Sequence, residues 1–337
     1  MAIIECVPNF SEGKDSVVIS AIAQAIKSVA GVALLHQDAN AAANRTVYTF
    51  AGETNAVFEA AYNAIAVASE LIDMRQQKGE HPRIGACDVC PFVPISGISL
   101  EQLAELCWTF GKTISHDFNL PVFFYEASAR SLKRRNLAHH RRGNYEQLEK
   151  RINSKVWLSD YGDFNAKSGG TVLGARNYLV AYNINLDTKD AAIAQEIAYD
   201  IRESGRPIKK VSGKTIFKAG KLNNVKAIGW YIKDFDRAQV SINLTNYVET
   251  PIEKVFQTTK EIAKKYHLRV TGSELIGLIP LNCMLSAGRF FLNNPEATEK
   301  DAIQSSIKGL GLSELHTFEP NKRILEYVLN ERLYANN

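Results

Sequence analysis

The sequence predicts an α/β chain, an α+β sandwich made of two ferredoxin-like βαββαβ subdomains with a ligand cleft between them. Three observations carry that reading. The 337 residues suffice for two domains of ordinary size. Hydrophobic content of 45% and charged content of 23% are those of a globular chain, not a disordered one. The order β-α-β-β-α-β also occurs twice along the chain. The repeat is one of element order, with no repeat of sequence. The expected subdomains are residues 1–170 and 171–337.

The first strand falls on AIIECVP (2–8). After the polar loop NFSEGK, the stretch DSVVISAIAQAIKSVAG has apolar residues at helical spacing and closes on Gly31. GVALLHQD (31–38) is a strand, ANAAAN a loop, and NRTVYTFAG (44–52) a strand rich in β-branched and aromatic residues. A long helix starts near Thr54, with Lys78 in its last turn and Gly79 just past its end. CDVCPFVPI is the fourth strand, placed near a sheet edge or at a bulge by Pro91 and Pro94. A helix over 99–117 and the strand LPVFFYE (120–126) follow.

The second half opens with a single long strand over 171–186 and a helix in TKDAAIAQEIAYDIRESG, capped by its threonine and ended by its glycine. VKAIGWYIKDFDRAQVSINLTNY reads as a hairpin turning at Asp234–Asp236. A helix over 250–267 and the strand LRVTGSE (268–274) complete the second set, and helices fill the remainder.

Net charge is +4, too small for a strongly basic nucleic-acid binder. The N-terminus lacks the basic region and apolar run of a secretory signal, and no stretch approaches the ~20 apolar residues that span a bilayer. A cytoplasmic protein is expected. Cys6, Cys87, Cys90, Cys107 and Cys283 are an odd, scattered set, unlike a disulfide framework. Cys87-x-x-Cys90 lies in a strand rather than at a helix start, where alternation would send the two thiols to opposite faces. Small buried residues are expected there, and no metal.

Three polar loops carry the candidate chemistry. In KGEHPRIG, Pro82 pushes His81 into extended backbone. The end of the long helix and Glu80 both favour the imidazolium, so the expected His81 pKa is raised. A general acid–base and a surface histidine in a turn both fit. In HQDANAAANRT, Asp38 suits a cationic amidine and Arg45 a carboxylate, with Asn44 beside them; capping of a turn fits too. VPNFSEGK adds Asn9, Ser11 and Glu12. The three loops together suggest the rim of one site.

A fourth segment, DYGDFNAKSGGTVLGAR (160–176), has four glycines in thirteen residues but matches no nucleotide-phosphate pattern. It reads as a ligand loop or as a connector. The basic runs KRRNLAHHRR and IKKVSGKTIFKAGK are solvated faces or contacts for a polyanion. Neither half has the aromatic pattern of an RNA-binding sheet.

Several of these motifs also carry a resemblance. VPNFSEGK, NRTVYTFAG, LIDMRQQKGEHPRIGACDVCPFVPI, GGTVLGAR…VAYNINL, KAIGWYIKDFDRAQVSINL and GSELIGLIP resemble the glutamate formimidoyltransferases, from about residue 2 to 330. The resemblance implies two α/β subdomains with a folate tunnel between them, in a homodimer, and no cyclodeaminase part. It implies transfer of a formimidoyl group from N-formimidoyl-L-glutamate to N5 of tetrahydrofolate as co-substrate. His81, inside GEHPR, becomes the catalytic acid–base. From the loops themselves, Asp38, Asn44, Arg45, Glu80 and Arg83 are the expected substrate-binding set, with Asp38 on the amidinium and Arg45 on a substrate carboxylate. The folate loop falls on Gly162, Asp163, Phe164, Asn165, Ala166, Lys167, Ser168 and Gly169, a stretch shorter and less apolar here than in the animal enzymes. Two other readings stand beside it. One is formyl transfer between 5-formyltetrahydrofolate and glutamate on the same scaffold; the other is a non-enzymatic folate or RNA binder, which has no need of His81.

Overall fold

The computed structural model describes residues 2–334 apart from Ala42, Glu80, Val211 and Lys214. The chain divides into two compact units, Met1–Asn177 with Glu331–Asn337, and Tyr178–Asn330.

In the first unit, β1 (Ile3–Cys6) and β2 (Asn9–Phe10) run end to end through the middle of the sheet. Helix α1 (Ser16–Lys27) leads to β3 (Val32–Asn40) and β4 (Arg45–Glu53), and α2 (Thr54–Leu71) to β5 (Cys87–Ser96). β4 pairs antiparallel with β3 on one side and with β1 and β2 on the other, and β5 pairs antiparallel with β1 and β2. The spatial order β3, β4, β1/β2, β5 is the ferredoxin-like arrangement the element order predicts.

Helix α3 (Leu100–Phe118) then crosses to β6 (Val122–Phe124), and β7 (Thr171–Ala175) inserts parallel to both β5 and β6. β5 is therefore an interior strand, not an edge. Its Pro94 lies at the register shift opposite Ile3 and Ile4, where a ladder donor is missing without penalty. Seven of its first residues are buried because both faces are covered. Leu173, Phe124, Phe92 and Cys90 join the core beneath α1, α2 and α3, while Val172, Phe123 and Val89 pack on the other face against Leu148 and Ile152. The last two belong to α5 (Leu148–Asn153), which follows the short α4 (Leu137–His140).

Cys87 and Cys90 depart from expectation. Both lie in the same buried cluster as Cys6, whose Sγ is 3.6 Å from that of Cys90. The register shift between Asn9 and Phe10, opposite Val89 and Cys87, breaks the alternation a regular strand would impose. Burial pushes all three thiols above their ordinary range.

The second unit repeats the order with β8 (Val180–Leu186), α6 (Ala191–Ile201), β11 (Val225–Ile232), β12 (Arg237–Leu244), α7 (Ile252–Lys265) and β13 (Val270–Ile276). A separate hairpin, β9 (Arg206–Lys209) with β10 (Thr215–Lys218), is inserted after α6 and carries much of the second basic run. The four-stranded sheet runs β11, β12, β8, β13, all antiparallel. Tyr182, Ile184, Val240 and Ile242 alternate onto the core face with Ile197 and Val255 of the helices. α8 (Leu281–Leu292), α9 (Glu299–Leu310), α10 (Pro320–Arg323) and α11 (Leu325–Tyr334) close the chain.

Three details correct the sequence reading. The strand expected over 171–186 is two strands, β7 and β8, and β7 belongs to the first unit's sheet; the units part after Asn177 rather than at residue 170. Asp190, not Thr188, caps α6, its carboxylate accepting from Ala192 N and Ile193 N. Finally, α2 ends at Leu71, well before Lys78 and Gly79. Ile72 and Met74 are pulled into the core, Met74 N donates to Lys167 O at 2.8 Å, and Asp73 starts a turn of its own by accepting from Arg75 N. Helical periodicity over 72–78 loses to these tertiary bonds.

Candidate active site

The three loops read from the sequence do meet, on the first unit. Ser11 Oγ donates to Gly85 O at 2.7 Å, and Ser11 N donates to Ala86 O at 2.8 Å. Gly13 N donates to Asn44 Oδ1 at 2.9 Å, and Thr46 Oγ1 donates to Glu12 O at 2.6 Å. Asn44, in the left-handed region with φ of 47°, sends its amide to Lys78 O at 2.9 Å. Gln77 Nε2 returns a bond to Asn44 O at 3.0 Å. Gly79 lies so close to this turn that a Cβ there would stand 2.3 Å from Ala43 O. The Asn44 side chain thus ties the turn into the scaffold through both its oxygen and its amide.

Arg83 is also scaffold. It is only 6% exposed, and it donates from Nε to Gln77 Oε1 at 2.7 Å. Its two Nη atoms form a fork on Glu146 at 2.8 and 3.0 Å. With these donors committed inside the protein, Arg83 braces the segment that carries His81. Glu80 lies outside the described residues.

His81 and Arg45 are brought together. Arg45 Nη1 is 2.6 Å from His81 Nε2. A guanidinium only donates, so Nε2 accepts and the ring is neutral, with its proton on Nδ1. Burial first, then the charges of Arg45 and Arg141, push the His81 pKa down to about 4, against the pull of Asp88. The rise expected from the helix end does not occur, since α2 stops at Leu71. Among the described residues, His81 Nδ1 and Arg45 Nε are buried without a hydrogen-bond partner.

Register places the remaining members. Tyr48 and Phe50 of β4 point into the core under α1 and α2, so Arg45 and Val47 point to the opposite face. Asp38 pairs with Val47 across β3 and shares that face; it is exposed, and its charge favours the guanidinium of Arg45. Asp38, Arg45 and His81 therefore bring a carboxylate, a guanidinium and a neutral imidazole to one patch.

Two contributors were not singled out from the sequence. Asp88 is 1% exposed and takes Ile84 N on Oδ1 at 2.8 Å and Arg141 Nε on Oδ2 at 2.9 Å. The signal was present: a carboxylate inside the apolar strand CDVCPFVPI needs a buried partner. Arg141 comes from the run read as a solvated face or polyanion contact. Part of that run is turned inward: Arg134 Nη1 donates to Asp160 at 2.9 Å, and His140 is buried between Arg134 O and the Trp157 indole.

The glycine-rich segment is pinned rather than loose. Asn165 Oδ1 accepts from both Lys167 N and Ser168 N at 3.0 Å, and its amide donates to Asn119 O at 3.1 Å. Lys167 Nζ donates to Glu70 O at 2.6 Å, Ser168 Oγ to Ser69 O at 3.3 Å, and Tyr145 OH to Ala166 O at 2.5 Å. Gly162 and Gly169 have φ of 72° and 65°, and Gly169 abuts Ile84 O and Gly85. The loop is stitched to the segment carrying His81 through Gly170 N to Ile84 O at 2.9 Å and Ala86 N to Ser168 O at 2.8 Å. Asp163 is exposed, and Phe164 is half-buried with its ring 6.2 Å from that of Tyr145.

Comparison with known proteins gives a consistent picture. Residues 3–176 match the family described as the formiminotransferase domain, N-terminal subdomain, and residues 181–330 match the formiminotransferase domain. A formimidoyltransferase-cyclodeaminase of Dictyostelium discoideum is 41% identical over 98% of this chain and 61% of its own length. A glutamate formimidoyltransferase of Streptococcus pyogenes serotype M1 is 39% identical over 86% of this chain and 93% of its own. One of Thermoplasma acidophilum is 36% identical over 87% of this chain and 93% of its own. The chain spans about 60% of the length of the bifunctional relatives it matches.

Proposed function

The chain belongs to the formiminotransferase family, and from that premise we propose that it transfers the formimidoyl group of N-formimidoyl-L-glutamate to N5 of tetrahydrofolate, releasing L-glutamate. The observation that carries the reading is a neutral His81 held 2.6 Å from Arg45 on a sheet face shared with Asp38. Transfer between two nitrogens needs one proton removed from the attacking nitrogen and one delivered to the departing nitrogen. A neutral imidazole does both in turn, which contributes typically ~10²–10⁴-fold. Asp38 meets the cationic amidine, and Arg45 takes a carboxylate of the glutamate half. Holding two substrates in line supplies a large part of the remaining acceleration. The chemistry calls for proton transfer and alignment, and the proposal assigns no metal.

The folate contacts are proposed for the free part of the 162–169 loop. Asp163 and the Phe164 ring are the groups left over once Asn165, Lys167 and Ser168 have made their internal bonds. A homodimer in the cytoplasm completes the proposal; five buried cysteines in the reduced state suit a reducing compartment.

The test is turnover with N-formimidoyl-L-glutamate and tetrahydrofolate, the product being converted by acid to its methenyl form and read by absorbance. Product formation that depends on both substrates supports the proposal. Inactivity with this donor and activity with 5-formyltetrahydrofolate and glutamate would replace it by formyl transfer.

A further inference from the structure

We propose that Arg45 is a latch on His81, released by the carboxylate of the donor substrate, so that binding of the correct donor itself frees the base. The inference rests on the function proposed above and concerns how that site is switched on.

The argument begins with the lone pair. An imidazole ring nitrogen offers one in-plane lone pair, and at His81 Nε2 it is occupied by Arg45 Nη1 at 2.6 Å. The resting contact and base action at Nε2 exclude each other. The arrangement is also incompletely satisfied: among the described residues, Arg45 Nε and His81 Nδ1 are both buried without a partner. The two Nη donors at the end of a guanidinium match the two oxygens of a carboxylate, in a charge-assisted pair roughly twice as strong as bonds between neutral groups, and one of the two, Nη1, is the donor now spent on His81. A carboxylate presented to Arg45 therefore competes well against a neutral ring nitrogen. Drawn off by it, Arg45 leaves the Nε2 lone pair free, and its charge is neutralised as it goes.

The charged groups around His81 fit this exchange. Arg45 on β4 and Arg141 after α4 oppose its protonation, and Asp88 on β5 favours it. Asp38 on β3 acts on Arg45. Arg141 is tied to Asp88 through Nε and Nη2, so it does not move with substrate. Arg45 is the cation of the pair whose partner is replaceable. A donor that lacks the matching carboxylate would lose turnover as well as affinity, because it would bind beside a base still capped.

The experiment is an NMR titration of the His81 imidazole nitrogens in the intact protein, assigned by loss of the signal in His81→Gln. Without ligand the ring stays neutral down to about the low pH its surroundings impose. With saturating L-glutamate, binding confirmed by calorimetry, the midpoint moves up by about one pH unit or more, a tenfold gain in proton affinity. In Arg45→Met the free midpoint is already raised, and glutamate no longer moves it. Bound glutamate with an unmoved midpoint in the wild type overturns the latch without recourse to any variant. So does a free midpoint in Arg45→Met equal to the wild type's. Failure of both L-glutamate and N-formimidoyl-L-glutamate to bind at all would instead sink the proposed function, and the latch with it.

Discussion

Asp88 anchors Arg141 at the head of β5, with Arg141 Nε 2.9 Å from Asp88 Oδ2, and both charges act on His81. The carboxylate is 1% exposed, and its other oxygen holds Ile84 N. Removing one member of such a buried pair leaves the other charge uncompensated, at a cost of about 3–5 kcal/mol. Asp88→Asn is expected to lower the urea midpoint accordingly. It also deprives His81 of the charge that favours its protonation, so the acid limb of any His81 titration moves to still lower pH.

Arg83 is predicted to be a brace for the His81 loop and not a substrate ligand. Lysine keeps the charge but cannot reproduce the fork on Glu146 together with the bond to Gln77. Arg83→Lys should lower Tm measurably, with a loss of kcat at least as large as any rise in KM. A variant of unchanged Tm with KM alone raised would return Arg83 to the substrate set.

Gly79→Ala is expected to disturb the site without touching a reacting group. The new Cβ would stand 2.3 Å from Ala43 O and 2.8 Å from Asn44 Cβ, so the 43–45 turn must shift. Overpacking of this kind costs typically ~1–3 kcal/mol. Reduced thermal stability together with reduced activity is the expected outcome, measured by a melt and a turnover assay on the same preparation.

The fold was largely legible because its signals are local and repeated: period-two strands such as NRTVYTFAG and the amphipathic α1, capped by Asp15, leave little choice. What was not legible depended on contacts distant in sequence. Helical spacing ran on past Leu71, but Met74 N is claimed by Lys167 O, and with the helix end went the predicted rise in the His81 pKa. Asn44 and Arg83 looked like ligands because polar loop residues usually do. Their bonds to Gly13, Lys78, Gln77 and Glu146, which tie them into the scaffold, had no local signature. The pairing of Arg45 with His81, 36 positions apart, had no local signature at all.

His140 predicts an acid-sensitive fold. Its Nε2–H donates to Arg134 O at 2.7 Å and its Nδ1 accepts from the Trp157 indole at 3.2 Å, so it is satisfied only when neutral. Burial is the main cause that pushes its pKa down to about 4 from an ordinary 6.5. The unfolded chain binds the proton first, so stability is complete above about pH 6.5 and is lost as pH falls toward 4. Between pH 7 and pH 5 this one group accounts for about 2 kcal/mol. Denaturant melts at the two pH values should show the drop, and His140→Gln should reduce it.

The central claim is that His81 moves the protons of a formimidoyl transfer. The most direct test is kcat of His81→Gln beside the wild type with N-formimidoyl-L-glutamate and tetrahydrofolate, with folate binding measured on both proteins. The account predicts equal folate affinity and a kcat lower by about 10²–10⁴-fold in the variant. A variant that binds folate and turns over at the wild-type rate would contradict it.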